Sequence, residues 1–470
     1  MPELYKDYLN KQLREKKKHD VLLAMDVLPF LSKRTRALRG RFNKVLGEYI
    51  RKICDLELDS SALKSHEFFM SEEQNVFSEH IARSVEFDSD EEQYDFIRFL
   101  DQYLFNKEDI KLIHPFLFNL ITVDKQNKNE FNKYGQFMKD TMLLNKEEVK
   151  GIFNQKESED ILTELILSQL DLLKDSPAKK REYKPLLKPL ANLYQEDIIY
   201  LSKYKDYFLT SFPLLTHFYV FMYANQLVFK FEQYNEANYN ELQPLYFSLE
   251  WESLSKRRKS ASGDIDSFKY IKAKLDNLFP HIHTMSQLSH NAANVSENEI
   301  KNEETIDLLT YTEIYNLIQQ GKLDERRFLV ELKEWIHEYM AWRGNEYNSS
   351  STTIREAFEE LHDCLKLGMS STVISKYGGN VEDLGANQFI KNRGSLGQVL
   401  NIKHDFLLLI TAVSVKNERI PLNDLFIEFE KRGIALDRYS KKEVIKLFDK
   451  QNILDKKSDS GDAQYVKPIL

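Results

Sequence analysis

Apolar residues return every three to four positions along most of this chain, the spacing of one buried helical face. Phe96, Phe99, Leu100, Tyr103 and Leu104 stand at i, i+3, i+4, i+7 and i+8. The stretches Leu143–Phe153 and Ile161–Leu173 continue in the same style, and Phe328–Trp342 and Ile354–Leu367 predict two more amphipathic helices separated by the Asn- and Ser-rich run 345–353. Between Tyr207 and Phe229 the chain carries no Asp, Glu, Lys or Arg. That length approaches a membrane span. Pro213, His217, Asn225 and Gln226 interrupt it, however, so the pattern predicts a buried core helix.

The last seventy residues carry the most specific pattern. Asp405–Val415 is almost wholly apolar, as in a helix covered on several sides, and Asn417–Arg419 reads as a turn. Leu422, Leu425, Phe426 and Phe429 then recur at i, i+3, i+4 and i+7, with Gly433 as a C-terminal stop. Asp437, Arg438 and Tyr439 lead to Ser440, which with Glu443 three residues on reads as a capping box opening a third helix. Val444, Ile445, Leu447 and Phe448 form the inward face of that helix. Two short extended runs, Ile453–Lys457 and Ala463–Lys467, flank the turn SDSGD and predict a β-hairpin. Three helices closed by a hairpin make a winged helix-turn-helix. The expected fold is therefore mostly α, a multi-domain helical protein with a C-terminal winged helix-turn-helix.

Boundaries follow from breakers. Ser176 and Pro177, followed by the cationic run 179–181, end the first helical region. Residues 284–305 are polar and read as a surface loop. Gly378, Gly379, Gly385, Gly394 and Gly397 gather five of the fifteen glycines and read as a flexible hinge. The expected division is a basic-ended helical domain at 1–175, an aromatic-rich helical domain at 176–372, a Gly-containing linker at 373–398 and the winged helix at 399–470.

Composition narrows the function classes. Gly and Pro number only 15 and 11 in 470 residues, too few turn residues for an all-β chain. Cys54 and Cys364 are too far apart to suggest a disulfide framework or zinc site, which fits a reducing compartment. The N-terminus is charged and lacks an apolar signal core, so a cytoplasmic protein is expected. No P-loop pattern occurs, so nucleotide hydrolysis of that type is not expected. His281, His283 and His290 have no nearby Cys or suitably spaced carboxylate, so no metal is expected. Glu331-Leu332-Lys333 lies within a helical pattern, away from any nuclease-like strand. Neither catalytic residues nor a cofactor emerge, and a non-enzymatic role follows.

Charge is uneven. The net charge is −8, yet residues 1–52 hold 14 Lys or Arg against 6 Asp or Glu, leaving −16 on the rest. This segment includes Lys33, Arg34, Arg36, Arg39 and Arg41, a cluster suited to a polyanion or an acidic surface. In winged folds the second helix of the motif enters the DNA major groove and the hairpin touches the backbone. The residues placed for that are Arg438, Lys441, Lys442 and Lys446 on the helix and Lys456 and Lys457 at the wing. From 399 to 470 the balance is 13 Lys or Arg against 11 Asp or Glu, and Asp459 and Asp462 sit at the wing tip. That near-neutrality also suits a protein-docking module.

The segments NRGSLGQVLNIKHDFLLLITAV, FEKRGIALDRYS and KKSDSGDAQYVKPIL, with YFSLEWESLSKRR further upstream, resemble the DptG (DndG) family of DNA phosphorothioation-dependent restriction systems. The resemblance implies a non-enzymatic antiviral-defence subunit that contacts double-stranded DNA and works with DptF-like and DptH-like restriction subunits. Those partners would supply nucleotide hydrolysis and DNA processing. A stand-alone winged-helix transcription regulator is the alternative, although nearly four hundred residues precede the winged helix. A nuclease with a cryptic site is a third reading.

Overall fold

In a computed structural model, residues 2–18, 20–59, 76–106, 109–123, 125–158, 160–170, 172–177, 180–456 and 464–470 are described. Helices dominate, as the periodicity predicts. The chain forms two interleaved units, one of residues 41–181 and 191–217, the other of residues 1–40, 182–190 and 218–470. Where the expected division was into consecutive segments, each of these units draws on separated stretches of chain.

In the unit of residues 41–181 and 191–217, helices Val45–Cys54 and Lys128–Met142 lie against each other where side chains vanish. A Cβ on Gly135 would come within 2.9 Å of the backbone of Glu48, and one on Gly47 within 2.2 Å of the Ile121 carbonyl oxygen. Both glycines are therefore packing residues rather than turn residues. Gly47→Ala is expected to destabilise this unit by roughly 2 kcal/mol or more, since the contact is with backbone that cannot rotate away. A lower urea midpoint checks this, and an unchanged midpoint contradicts it. Strand β1 (Leu56–Leu58) awaits a distant partner, β2 (Phe105–Asn106) pairs with β3 (Asp109–Ile110), and β4 (Leu173–Asp175) runs antiparallel to β1. The last apolar helix thus stops at Ser168, short of the expected Leu173. Leu100, Leu104, Leu117, Ile166 and Leu167 share one core, while Phe99 of the predicted stripe stays 46% exposed.

The other unit contains a mixed sheet that periodicity did not reveal. It consists of β5 (Leu245–Leu249), β6 (Ile390–Asn392), β7 (Gln398–Ile402) and, beyond the strand β8 (Ile420–Pro421) of a second sheet, β9 (Ile434–Leu436). Its order is β6-β7-β5-β9, with β5 parallel to both β7 and β9 and β6 antiparallel to β7. Strand β5 is buried on both faces, which erases the alternation of a half-exposed strand. A boundary at residue 399 would cut β7, so the C-terminal region is joined to the rest by sheet hydrogen bonds.

The predicted hinge at 373–398 is likewise corrected. Ser371–Gly385 is a helix, and Gly378 and Gly379 sit where a Cβ would meet the Leu275 carbonyl and the Arg34 guanidinium. The apolar segment at 207–229 lies within helix Lys205–Phe231, whose residues are largely buried. Phe212 packs on Phe118 and Phe153 in one unit, and Phe218 and Phe221 pack on Phe389 in the other. Among the described residues no helix is long and apolar enough to cross a membrane.

Residues 284–291 are no surface loop. Helix Leu278–Leu288 is buried throughout, and Ser289, His290 and Asn291 follow it into the core. His281 stacks on His362 with ring centroids 4.1 Å apart and meets the Tyr311 hydroxyl through Nδ1 at 3.0 Å. Burial and the neighbouring His362 push His281 down to about 4, against the pull of Glu232, and burial lowers His290 to about 4. Both imidazoles are held neutral in the fold while the unfolded chain charges them near pH 6.5. Their contribution to stability is therefore present above pH 6.5 and is lost as pH falls towards 4, by about 3 kcal/mol for each. Urea titrations at pH 7 and pH 5 are expected to show this loss, and His290→Asn should flatten it. An equal midpoint at both pH values would contradict the assignment.

Candidate nucleic-acid interface

The C-terminal region builds its surface from three helices and a small sheet. Helix His404–Val415 is covered on nearly all sides. Helix Leu422–Lys431 presents Leu422, Leu425, Phe426 and Phe429 inward, and Gly433 with φ +82° turns the chain out of it. Helix Arg438–Lys450 buries Val444 and Phe448. Strand β10 (Leu454–Lys456) pairs with β11 (Gln464–Val466), as the hairpin pattern predicts, and β11 pairs in turn with β8. Pro421 lies in β8, an edge strand, where the missing N–H removes no central ladder bond. The turn SDSGD and Lys457 lie outside the described residues, and Lys456 is the last residue of β10.

The start of the third helix differs from the expected capping box. Asp437 is the cap, accepting from the Tyr439 and Ser440 amides at 2.9 and 3.0 Å. Ser440 turns inward, and its hydroxyl donates to Glu252 at 2.8 Å. Arg258 joins these groups. Its Nε and Nη2 donate to the two Asp437 oxygens at 2.5 and 2.9 Å, and Nη2 also reaches Glu252 and Ser440, each at 2.9 Å. Burial pushes Asp437 upward, but Arg258 and the helix amides outweigh it and hold the carboxyl below its usual range. One carboxylate therefore caps the helix and ties it to the segment after β5.

This tie assembles a cationic surface from distant sequence. While Arg258 points inward, Lys256, Arg257 and Lys259 are exposed beside it. On the helix, Arg438, Lys442, Lys446 and Lys450 are exposed at i, i+4, i+8 and i+12. At 1.5 Å per residue the stripe spans about 18 Å. Arg438 lies over the Tyr439 ring at 4.6 Å, and Tyr439 is 46% exposed. Lys446 contacts Glu443 at 2.7 Å, an exposed pair that can exchange partners at little cost. Lys441 is used differently, lying over the Phe426 ring and 3.8 Å from Glu430, where it braces the second and third helices. Lys450 and the 256–259 loop were not selected from sequence. The i, i+4 spacing signalled Lys450, but no local pattern reports that the loop abuts a helix about 180 residues away.

The N-terminal cluster does not form the expected free surface. Arg34 makes two hydrogen bonds to Asp383, at 2.5 and 2.8 Å, and Arg39 makes one at 2.5 Å. Gly379 leaves the space that the Arg34 guanidinium fills. Lys33 and Arg36 remain exposed, whereas Arg41 belongs to the other unit. Lys11 and Lys16 both approach Glu303. Much of the +8 of this segment therefore answers carboxylates elsewhere in the chain. Leu4, Leu9, Leu13, Val27 and Leu28 are buried, so deleting the segment would also remove core.

Both thiols, Cys54 and Cys364, are buried and pushed up to about 12, chiefly by burial. Among the described residues no group of three or more His, Cys, Asp or Glu side chains is placed to hold a metal ion. Comparison of the chain with known protein families and with curated proteins returns no match.

Proposed function

We propose that this chain is a non-catalytic, DNA-contacting scaffold subunit of a phosphorothioation-dependent DNA restriction complex, acting in antiviral defence beside DptF-like and DptH-like subunits. On this reading the C-terminal helices and β8, β10 and β11 are a winged helix-turn-helix, and helix Arg438–Lys450 is its recognition helix.

The observation that carries the DNA contact is the composite cationic surface. A winged helix grips duplex DNA through the second helix of its motif, and phosphate contacts supply most of the affinity. The near-neutral balance of residues 399–470 weakened that reading when they were considered alone. Lys256 and Arg257 add two exposed cations at the N-terminal end of the same helix, and Lys259, exposed but paired with Asp264 at 3.3 Å, adds a third that can exchange partners. The restriction context rests on the C-terminal sequence resemblance. DNA processing belongs on this reading to the partner subunits.

Two measurements test it. Purification of the tagged chain from its native host is expected to bring along a nucleotide-hydrolysing partner and a DNA-processing partner. The purified chain is expected to bind duplex DNA with an affinity that falls steeply with salt. A chain that purifies alone as a dimer and binds one promoter sequence tightly would indicate the transcription regulator instead. Loss of partner capture, with unchanged DNA affinity, after charge reversal on the helix would identify the same surface as a protein-docking face.

A further inference from the structure

Beside helix Arg438–Lys450 one large aromatic side chain is turned outward by the fold. Strand β5 ends at Leu249, and Glu252 then folds back into the protein. It accepts from the Leu249 amide and the Ser440 hydroxyl at 2.8 Å each and from Arg258 at 2.9 Å. With Glu252 pinned inward, the residue before it faces the surface, and Trp251 is 43% exposed. It is the one exposed tryptophan of three, since Trp335 is buried and Trp342 half-buried. Its ring stands edge-on to His404, with centroids 6.2 Å apart and planes at 60°. The His404 imidazole in turn contacts the Gln451 side chain at 2.9 Å. Trp251 is therefore tied to the first turn of the helix through Glu252 and to its C-terminal end through His404.

Among the described residues no cation and no second ring lies over this indole, and none accepts from its N–H. Tyr439, the other exposed aromatic of the surface, differs, because Arg258 and Arg438 lie over its ring at 4.9 and 4.6 Å. Lys256 and Arg257 are exposed on the same segment as Trp251, and the stripe Arg438, Lys442, Lys446 and Lys450 runs along the adjoining helix. The carboxylates next to Trp251 and His404 in sequence are engaged. Glu250 lies 3.6 Å from Lys391, and Asp405 accepts from the Phe406 amide at 2.8 Å. An open aromatic face flanked by cations suits a nucleotide strand, whose bases stack while its phosphates meet the cations. Inside a duplex the faces of each base are covered by its neighbours. An indole therefore finds a free face only at a base that has left the stack.

We infer that this face takes DNA at a junction between duplex and single strand. The stripe on helix Arg438–Lys450 holds duplex phosphates, Trp251 stacks on an unpaired base beside it, and Lys256 and Arg257 meet the phosphates of the unpaired strand. The inference rests on the DNA contact proposed above and names the form of DNA that the contact selects. Every base offers a π-face, so the selection is for the structure of the DNA and not for its sequence.

The test measures the affinity of the full chain, by fluorescence anisotropy at one fixed salt concentration, for two DNAs. One is a blunt duplex, and the other is the same duplex carrying an oligothymidine tail of about ten nucleotides. The tailed duplex is expected to bind about tenfold more tightly. Trp251→Ala is expected to abolish that difference while leaving blunt-duplex affinity within about twofold, and Trp251→Phe to restore most of it because a phenyl ring still stacks. The oligothymidine alone should quench the tryptophan fluorescence of the native chain saturably and leave that of the Trp251→Phe chain unchanged. Equal affinity for the two DNAs, or a tail preference that survives Trp251→Ala, overturns the inference and leaves the duplex contact standing. An equal loss on both DNAs in a folded Trp251→Ala chain also overturns it, since Trp251 would then serve the duplex contact. Binding of neither DNA by the native chain overturns this inference and the DNA contact together.

Discussion

Arg438→Glu/Lys442→Glu/Lys446→Glu is expected to lower the affinity of the chain for duplex DNA by on the order of a hundredfold or more near physiological salt. Each of these side chains is exposed on one stripe of helix Arg438–Lys450, and each substitution replaces attraction to phosphate with repulsion. Three lost phosphate contacts should also flatten the plot of log affinity against log salt by about 2.7. The fold should persist. Val444 and Phe448 still fill the core, Asp437 still caps the helix, and a Glu at the first helical position favours the helix dipole. Lys446→Glu adds exposed like-charge pairs with Glu443 and Asp449, a penalty of about 0.5 kcal/mol each. A companion variant, Lys256→Glu/Arg257→Glu/Lys259→Glu, should weaken DNA binding in the same direction although its residues lie far away in sequence. Full DNA affinity in both folded variants would remove this face from the DNA contact and leave the exposed Lys33 and Arg36 as the next basic surface to test.

Arg258→Met is expected to destabilise the chain by about 3–5 kcal/mol, the cost of leaving buried charges without their partner. Arg258, Glu252 and Asp437 have side chains only 9%, 3% and 11% exposed, and one guanidinium meets both carboxylates. Removing it leaves two adjacent buried anions and reduces the tie between the N-terminus of helix Arg438–Lys450 and the segment after β5 to the Ser440–Glu252 hydrogen bond. Urea unfolding measures the loss. Adding Glu252→Gln should recover part of it, because one uncompensated charge disappears while the hydrogen bonds to Ser440 and the Leu249 amide can still be made. Equal stability of Arg258→Met and the native chain would show that the guanidinium contributes little to the anchor. A fall in DNA affinity accompanying the loss of stability is expected, since the helix and the 256–259 loop would no longer be held in register.

Residue pattern alone determined the local elements. The helices ending near Trp342 and Gly368, the buried apolar helix at 205–231 and the C-terminal order of helix, helix, helix and hairpin all follow from periodicity and stop signals. These are legible because a helix face is written within eight to fifteen consecutive residues. Candidate chemistry was legible only as far as single elements reach: Arg438, Lys442 and Lys446 stand on the exposed stripe, whereas Arg34 and Arg39 looked like free cations because Asp383 lies about 350 residues away. Ser440 satisfied a capping rule, yet the three-dimensional neighbourhood gave that task to Asp437, where Arg258 stabilises the carboxylate. Glycines misled for a similar reason. Gly378 and Gly379 form part of a helix because backbone and guanidinium pack where their side chains would be, and a string of letters records the missing Cβ without its neighbour. The parallel pairings of β5 with β7 and β9 join residues some 150 to 190 positions apart, and β5 is buried on both faces, so neither alternation nor a short turn announced them. Local hydrophobic periodicity specified the helices, while the sheet, the interleaved units and the joining of the 256–259 loop to helix Arg438–Lys450 were decided by tertiary contacts, because burial and ion pairing depend on distance in space.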